Sequence, residues 1–213
     1  MPQSFRKGRG VAILAVFVMT SLLGACAVAP PAPSSRDIAA AWQAHRQGLV
    51  QLQSWSFSGR LAVKDKIEES WSAGLRWQQT GESFDIHLSG AFGQGAARLF
   101  GHKDYAVIET PERAALTASS AEALMQEQLG WSVPVGGLRY WLVGLPEPGL
   151  SERKEFDDAG RLRLLQQSGW QVRYGSYALY NGQQLPRMLE LENSRLRARL
   201  VIDNWQFIRG AGA

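Results

Sequence analysis

From Trp55 the chain settles into a strict two-residue alternation that leaves few folds open to it. Trp55, Phe57, Gly59, Leu61 and Val63 alternate with Ser56, Ser58, Arg60, Ala62 and Lys64. Side chains on a strand point to opposite faces in turn, so this pattern predicts a strand with one apolar and one wet face. After the charged turn Lys64 to Glu69, Trp71, Ala73, Leu75 and Trp77 alternate with Ser72, Gly74, Arg76 and Gln78. Phe84, Ile86 and Leu88 follow Thr80-Gly81. One-sided strands joined by short turns predict an antiparallel meander. Further short strands are expected near Ala96 to Phe100, Tyr105 to Glu109 and Ala114 to Thr117.

The C-terminal third repeats the pattern between turn signals at Asp158-Ala159-Gly160, Ser168-Gly169, Asn181-Gly182 and Asn193-Ser194. In the last strand Leu196, Ala198, Leu200 and Ile202 alternate with Arg195, Arg197, Arg199 and Val201. The arginine side reads as a solvated outer face, with contact to a membrane surface or a partner as the other option. Helices interrupt the strands at three places. Ser34 or Ser35 can cap a helix whose Ile38, Trp42, His45, Leu49 and Leu52 share a face. Ser119-Ser120-Ala121-Glu122 has the form of a capping box ahead of a helix through Leu124, Met125 and Leu129, stopped by Gly130. A third, short helix is expected over Val135 to Val143.

The N-terminal segment is of another kind. Arg6, Lys7 and Arg9 precede the uncharged run Val11 to Leu23, whose 13 residues fall short of the roughly 20 a membrane-spanning helix needs. This is a signal-peptide pattern. Leu23-Gly24-Ala25-Cys26 resembles the lipobox of bacterial lipoproteins, in which the cysteine thiolate takes a diacylglycerol group before cleavage frees its α-amine. Ala27, where an aspartate commonly retains lipoproteins at the inner membrane, implies delivery to the outer membrane with the domain facing the periplasm. The expected organisation is a leader over 1–25, an acylated cysteine and flexible Pro-rich linker over 26–35, and one domain over 36–209.

Discounting the leader and its three basic residues leaves 20 Lys and Arg against 19 Asp and Glu. A near-neutral chain lacks the basic surface that nucleic-acid binding needs. Cys26 is the one cysteine, so its acylation leaves no disulfide or thiolate metal site. Catalytic signatures are also missing. There is no HExxH, GxSxG or phosphate loop, and Gly93-Gln94-Gly95 alone is too weak a signal. His45, His87 and His102 share no metal-ligand spacing. His45 reads as an amphipathic ring at a helix edge, and Asp85 and His87 as a solvated pair. The sequence therefore calls for no enzyme activity, no cofactor and no metal.

Phe57-Ser58-Gly59-Arg60-Leu61-Ala62-Val63 resembles the first strand of the LolB family of outer-membrane lipoprotein receptors. Trp131-Ser132-Val133-Pro134-Val135 with Leu138 to Pro146 is similar to that family's central helical segment. Met188-Glu190-Leu191 with Ile202-Asp203-Asn204-Trp205 is similar to its closing strands. The resemblance spans about Ala40 to Trp205. It implies a mainly β fold with α: a single curved antiparallel sheet of about eleven strands, an open (half) β-barrel covered by three helices, with an apolar cavity between. It also implies a function, that of a monomeric receptor that accepts acylated lipoproteins from a periplasmic LolA-type carrier and inserts them into outer-membrane lipid. The alternatives are a structural or assembly envelope lipoprotein without a lipid cavity and, with less support, a lipid-anchored enzyme.

On that basis Trp71, Leu75, Trp77, Phe84, Ile86, Leu88, Leu124, Met125, Trp141 and Leu200 are the candidates to line the cavity, although for each taken alone ordinary core packing is the favoured reading. Family members often carry an exposed leucine in the loop after the third strand. Here the loop reads Ala91-Phe92-Gly93, which makes Phe92 the candidate membrane-inserting residue. The other reading has Phe92 folding back onto the sheet.

Overall fold

The computed structural model describes residues 32–65, 70–90 and 96–207. Among them, eleven strands form one antiparallel sheet: β1 (Ser54–Asp65), β2 (Ser70–Thr80), β3 (Ser83–Ser89), β4 (Ala97–His102), β5 (Tyr105–Thr110), β6 (Arg113–Ala118), β7 (Glu152–Phe156), β8 (Leu162–Gln167), β9 (Trp170–Tyr180), β10 (Gln183–Glu192) and β11 (Leu196–Phe207). Three helices accompany them: α1 (Ser35–Leu49), α2 (Ala121–Leu129) and α3 (Val135–Trp141). The expected fold class is the one observed.

The spatial order is β6-β5-β4-β3-β2-β1-β11-β10-β9-β8-β7. Each half is a simple meander, and the halves join where β1 pairs with β11. β6 and β7 are left as the two unjoined edges. Because α2 and α3 lie between β6 and β7 in the chain, the connection that carries them runs from one edge of the sheet to the other.

Local chemistry accounts for the turns and bends. The β8–β9 and β9–β10 hairpins turn through Ser168-Gly169 and Asn181-Gly182, all four at positive φ, the geometry whose twist suits a two-residue hairpin. Register shifts at Ser58/Gly59 on β1, at Pro186/Met188 on β10 and at Ile108/Thr110 on β5 are bulges of the kind that bend a strand and deepen its twist. Pro186 lies at such a shift, where the donor it lacks costs least. The inward side chains of both halves meet in one apolar cluster, as a sheet curled on itself requires.

α1 starts as its sequence predicts. The Ser34 hydroxyl accepts from the Asp37 N–H at 3.3 Å, and the Asp37 carboxylate accepts from the Ser34 N–H at 3.0 Å. The capping box expected at Ser119–Glu122 does not form. The Ser120 hydroxyl caps α2 through the Ala123 N–H at 3.1 Å, one residue later than the pattern suggests. Glu122 instead accepts the Val135 N–H at 2.7 Å. That N–H opens α3, whose N-cap is Pro134 and makes no side-chain cap, so a carboxylate borrowed from α2 supplies the missing acceptor.

Candidate functional site

The concave side of the sheet is filled with rings at its centre. Trp55 and Phe57 of β1 meet Trp77 of β2 at 6.1 and 6.4 Å between centroids, and Trp205 of β11 at 5.3 and 5.2 Å. Their polar ends are satisfied within the fold: the Trp77 Nε1–H donates to Gln79 Oε1 at 3.0 Å and the Trp205 Nε1–H to the Pro186 carbonyl at 3.0 Å. Of the ten residues chosen from the sequence, Leu75, Trp77, Phe84, Ile86, Leu124, Met125, Trp141 and Leu200 all belong to this buried cluster. Leu88 is half-buried against it. Trp71 stands apart, 39% exposed near the start of β2. Cys26 and Phe92 lie outside the described residues.

A cleft of about 660 Å³ opens where α1 and the α3 region approach the start of the sheet. Its apolar wall is made by Trp42, Leu49, Leu52, Trp55, Tyr140, Val143 and Leu145, and its polar rim includes Arg46, Glu82, Arg139, Glu147 and Lys154. None of the ten chosen residues lines it. The signal that could have found it was the α1 face carrying Trp42 and Leu49 together with the Pro-rich segment after α3. In the sequence Trp42 and Leu49 mark only the apolar face of a helix, and the segment Leu145 to Gly149 only an end to regular structure.

The strap formed by α2, α3 and the segment to Pro148 is held down at identifiable points. Gln167 of β8 is 3% exposed. Its Oε1 accepts both the Trp141 Nε1–H and the Glu147 N–H at 2.8 Å, and its Nε2–H donates to the Glu147 carbonyl at 2.9 Å. The Tyr174 hydroxyl donates to the Trp141 carbonyl at 3.0 Å. Arg139 reaches the opposite half of the sheet, donating to the Gly81 carbonyl of the β2–β3 turn at 3.1 Å with Glu82 at 4.0 Å. Arg195, in the β10–β11 turn, donates to the Gly130 carbonyl at the end of α2 at 2.8 Å.

Electrostatics separate the rim from the outside. Partial burial lifts the Glu147 carboxyl above the ordinary glutamate range, with Arg139 drawing it down and Glu122 pushing it up. On the outer face Arg98 grips Asp85 through two hydrogen bonds of 3.0 and 2.7 Å, and His87 Nε2 lies 3.0 Å from the same carboxylate. Hydrogen bonding to Arg98 holds Asp85 below the usual range. His45 sits half-buried at the edge of α1, its ring 6.4 Å from that of Tyr177, and desolvation lowers its pKa. The arginines of β11 are on the outer face as expected, and Glu192 bridges two neighbours, Arg173 at 3.2 Å and Arg197 at 2.8 Å.

An open antiparallel sheet, curled over an apolar interior and bridged from edge to edge by a helical strap, defines a class. The crystal structure of a LolA superfamily protein from Nitrosomonas europaea superposes with a TM-score of 0.55, at 9% identity, over 81% of this chain and 94% of that one. A DUF1329 family protein from Desulfovibrio piger gives 0.53 at 6% identity, over 85% and 96%. These likenesses concern the fold. Sequence takes the assignment further, because the family model described as outer membrane lipoprotein LolB matches residues 53–205. Proteins named outer-membrane lipoprotein LolB from Nitrosococcus oceani and Stutzerimonas stutzeri are 42% and 41% identical, over 91% and 87% of this chain and 96% and 90% of theirs. The chain belongs to the LolB family: it is an outer-membrane lipoprotein receptor in lipoprotein localisation.

Proposed function

We propose that this receptor takes the acyl chains of a lipoprotein from a LolA-type periplasmic carrier into the space under its strap and releases them into the outer membrane, with no chemical step. The observation that carries this is the open sheet itself. Its concave side carries one continuous apolar cluster, its edges β6 and β7 are unjoined among the described residues, and the chain between those edges forms the strap that spans them.

Volume decides what must move. Three chains of about sixteen carbons need on the order of 1400 Å³ if each methylene takes about the roughly 30 Å³ share of a liquid water molecule. The cleft offers about 660 Å³, so a full guest requires the strap to rise off the interior. Rising breaks the polar contacts of Arg139 with Gly81, Arg195 with Gly130 and the Gln167 cluster, and it uncovers buried apolar side chains such as Leu124, Leu138, Trp141 and Leu142, which the guest's acyl chains would cover in their turn. A buried methylene is worth about 0.8 kcal/mol. A tri-acylated guest therefore cannot leave one apolar host without another at hand, and transfer from host to host needs no nucleotide.

Phe92 is assigned the insertion step. Its place in Ala91-Phe92-Gly93 matches the loop position where family members carry an exposed leucine, and a large apolar ring at a glycine-flanked site favours lipid over water. Cys26 is assigned the permanent anchor.

The residues from Pro33 onward form one compact unit with its own core, so the domain can be studied without its leader and acyl chains. Incubated with a carrier loaded with acylated lipoprotein, this unit should strip the carrier. Its Phe92→Glu variant should strip the carrier equally but deliver far less to liposomes. A domain that leaves the carrier loaded, or a Phe92→Glu variant that delivers at the native rate, contradicts the respective half of the proposal.

A further inference from the structure

Among the described residues, the concave side of the sheet is covered on one half and open at a corner of the other. In register across the strands, Phe57, Trp77, Ile86, Leu99, Ile108 and Leu116 form one apolar row. Exposure climbs along it, from 2% at Phe57 through 9% at Leu99 to 37% at Leu116 on the edge strand β6. The neighbouring rows do the same over a shorter span. Leu75 is buried and Leu88 opposite it half-buried; Val63 is buried and Trp71 opposite it exposed. We propose that this corner, bounded by β6, the end of β3 and the start of β2, is where a guest's acyl chains pass between the interior and the bilayer. The cleft under α1 is then the separate mouth by which they arrive.

The two mouths lie at opposite ends of the same strands. The cleft takes in Gln79, Gly81 and Glu82 around the β2–β3 turn, whereas Trp71 and Leu88 belong to the start of β2 and the end of β3. β3 has 7 residues, which at about 3.3 Å each sets the mouths about 20 Å apart. Between them the apolar path is continuous, because Trp55 is common to the cleft wall and to the aromatic centre, where it meets Trp77. β3 ends at Ser89 and β4 begins at Ala97, so the connection that carries Phe92 leaves from the corner and not from the cleft.

Charge decides between the two edges of the sheet. β7 reads Glu152-Arg153-Lys154-Glu155-Phe156, with Lys154 on Glu152 at 2.7 Å and Arg163 on Glu155 at 2.6 Å. An acyl chain crossing there would strip water from ions, a costly step. β6 carries Arg113 as its one charge and continues through Ala114, Ala115, Leu116, Thr117 and Ala118. Edge strands ordinarily bear charges that keep apolar matter off them; β7 does so and β6 does not. Large apolar side chains left contiguous and in water mark a surface with a partner. The acyl chain is the occupant that fits, since Ile108 and Leu88 of the corner pack directly against the buried cluster. This route presupposes that the interior holds acyl chains, as proposed above.

The test follows transfer through the whole chain reconstituted in liposomes, from a carrier loaded with a lipoprotein whose acyl chains are labelled. Leu116→Lys sets a charge at an already exposed position of the corner. It should unload the carrier at the native rate and pass the label to the liposomes about tenfold more slowly or worse. Val50→Lys, at an exposed position of the cleft, should slow unloading rather than delivery. With benzoylphenylalanine at position 116 or, separately, at position 153 of β7, irradiation during delivery should link the label at 116 and not at 153. That readout serves if a lysine variant melts early. Delivery by Leu116→Lys at the native rate, equal slowing of both steps by either lysine, or linkage at 153 overturns the proposal while leaving acyl-chain uptake standing. A native chain that never unloads the carrier overturns both.

Discussion

Gln167 shows how one side chain can fix a whole segment. It is buried, and it satisfies an indole N–H, a backbone N–H and a backbone carbonyl that would otherwise lose their partners under the strap. Truncation leaves those groups unpaired, at roughly 1–3 kcal/mol for a buried group. Gln167→Ala should therefore lower unfolding free energy by about 2–3 kcal/mol, measurable by urea denaturation, whereas Gln166→Ala, next to it on the outer face, should cost much less. Glu147 makes the opposite case. Its raised pKa means the folded state favours the protonated carboxyl, so stability from this group is complete below the unfolded value of 4.5 and declines as pH rises toward the folded one. Glu147→Gln removes the ionisation. The variant should melt at or above the native temperature near neutral pH, with the difference shrinking as the pH is lowered through the glutamate range.

At the scale of elements, α1 is set by one glycine. Gly160, in the β7–β8 turn, has φ +72°, and a Cβ there would meet the Trp42 backbone nitrogen at 2.5 Å and Ala41 Cβ at 2.6 Å. The helix lies directly on the turn, and no flexible side chain is available to yield. Gly160→Ala should displace α1 and destabilise the domain by at least the cost of the strained φ, about 1–3 kcal/mol. Thermal melting checks this, and tryptophan emission should shift to the red as Trp42 meets water.

The strands and their turns were legible because a half-buried strand shows its period in single residues, and Asn181-Gly182 and Ser168-Gly169 supply the positive φ a tight hairpin needs. The helix cap at Ser120 was misplaced by one residue. Glu122 fitted a local pattern but is used across space, by Val135, and no spacing along the chain reveals that. The cleft was illegible for the same reason: Trp42, Trp55 and Tyr140 come from three separate elements, and their meeting depends on where α1 and α3 land. Trp71 had the same parity as Leu75 and Trp77, yet it stands at the rim, because alternation gives the face of a residue but not its depth.

At the scale of the molecule, two layers share one apolar interior: a curved sheet and a strap bridging its edges. The core is well filled as it stands, with Trp141 fully buried, so a guest must replace strap contacts rather than enter a ready cavity. That ties stability to function. Variants that loosen the strap at Gln167 or Arg139 should unload a carrier faster even as they melt earlier, and a rigid filled barrel would show the second effect alone.

The most direct measurement places a photo-reactive benzoylphenylalanine at position 77 or, separately, at position 76. These are neighbours on β2, with Trp77 in the buried aromatic cluster and Arg76 exposed on the outer face. After transfer of a lipoprotein with labelled acyl chains, irradiation should link the label at position 77 and leave position 76 unlabelled. Labelling at neither position, or at both to the same extent, would show that acyl chains do not occupy the concave side.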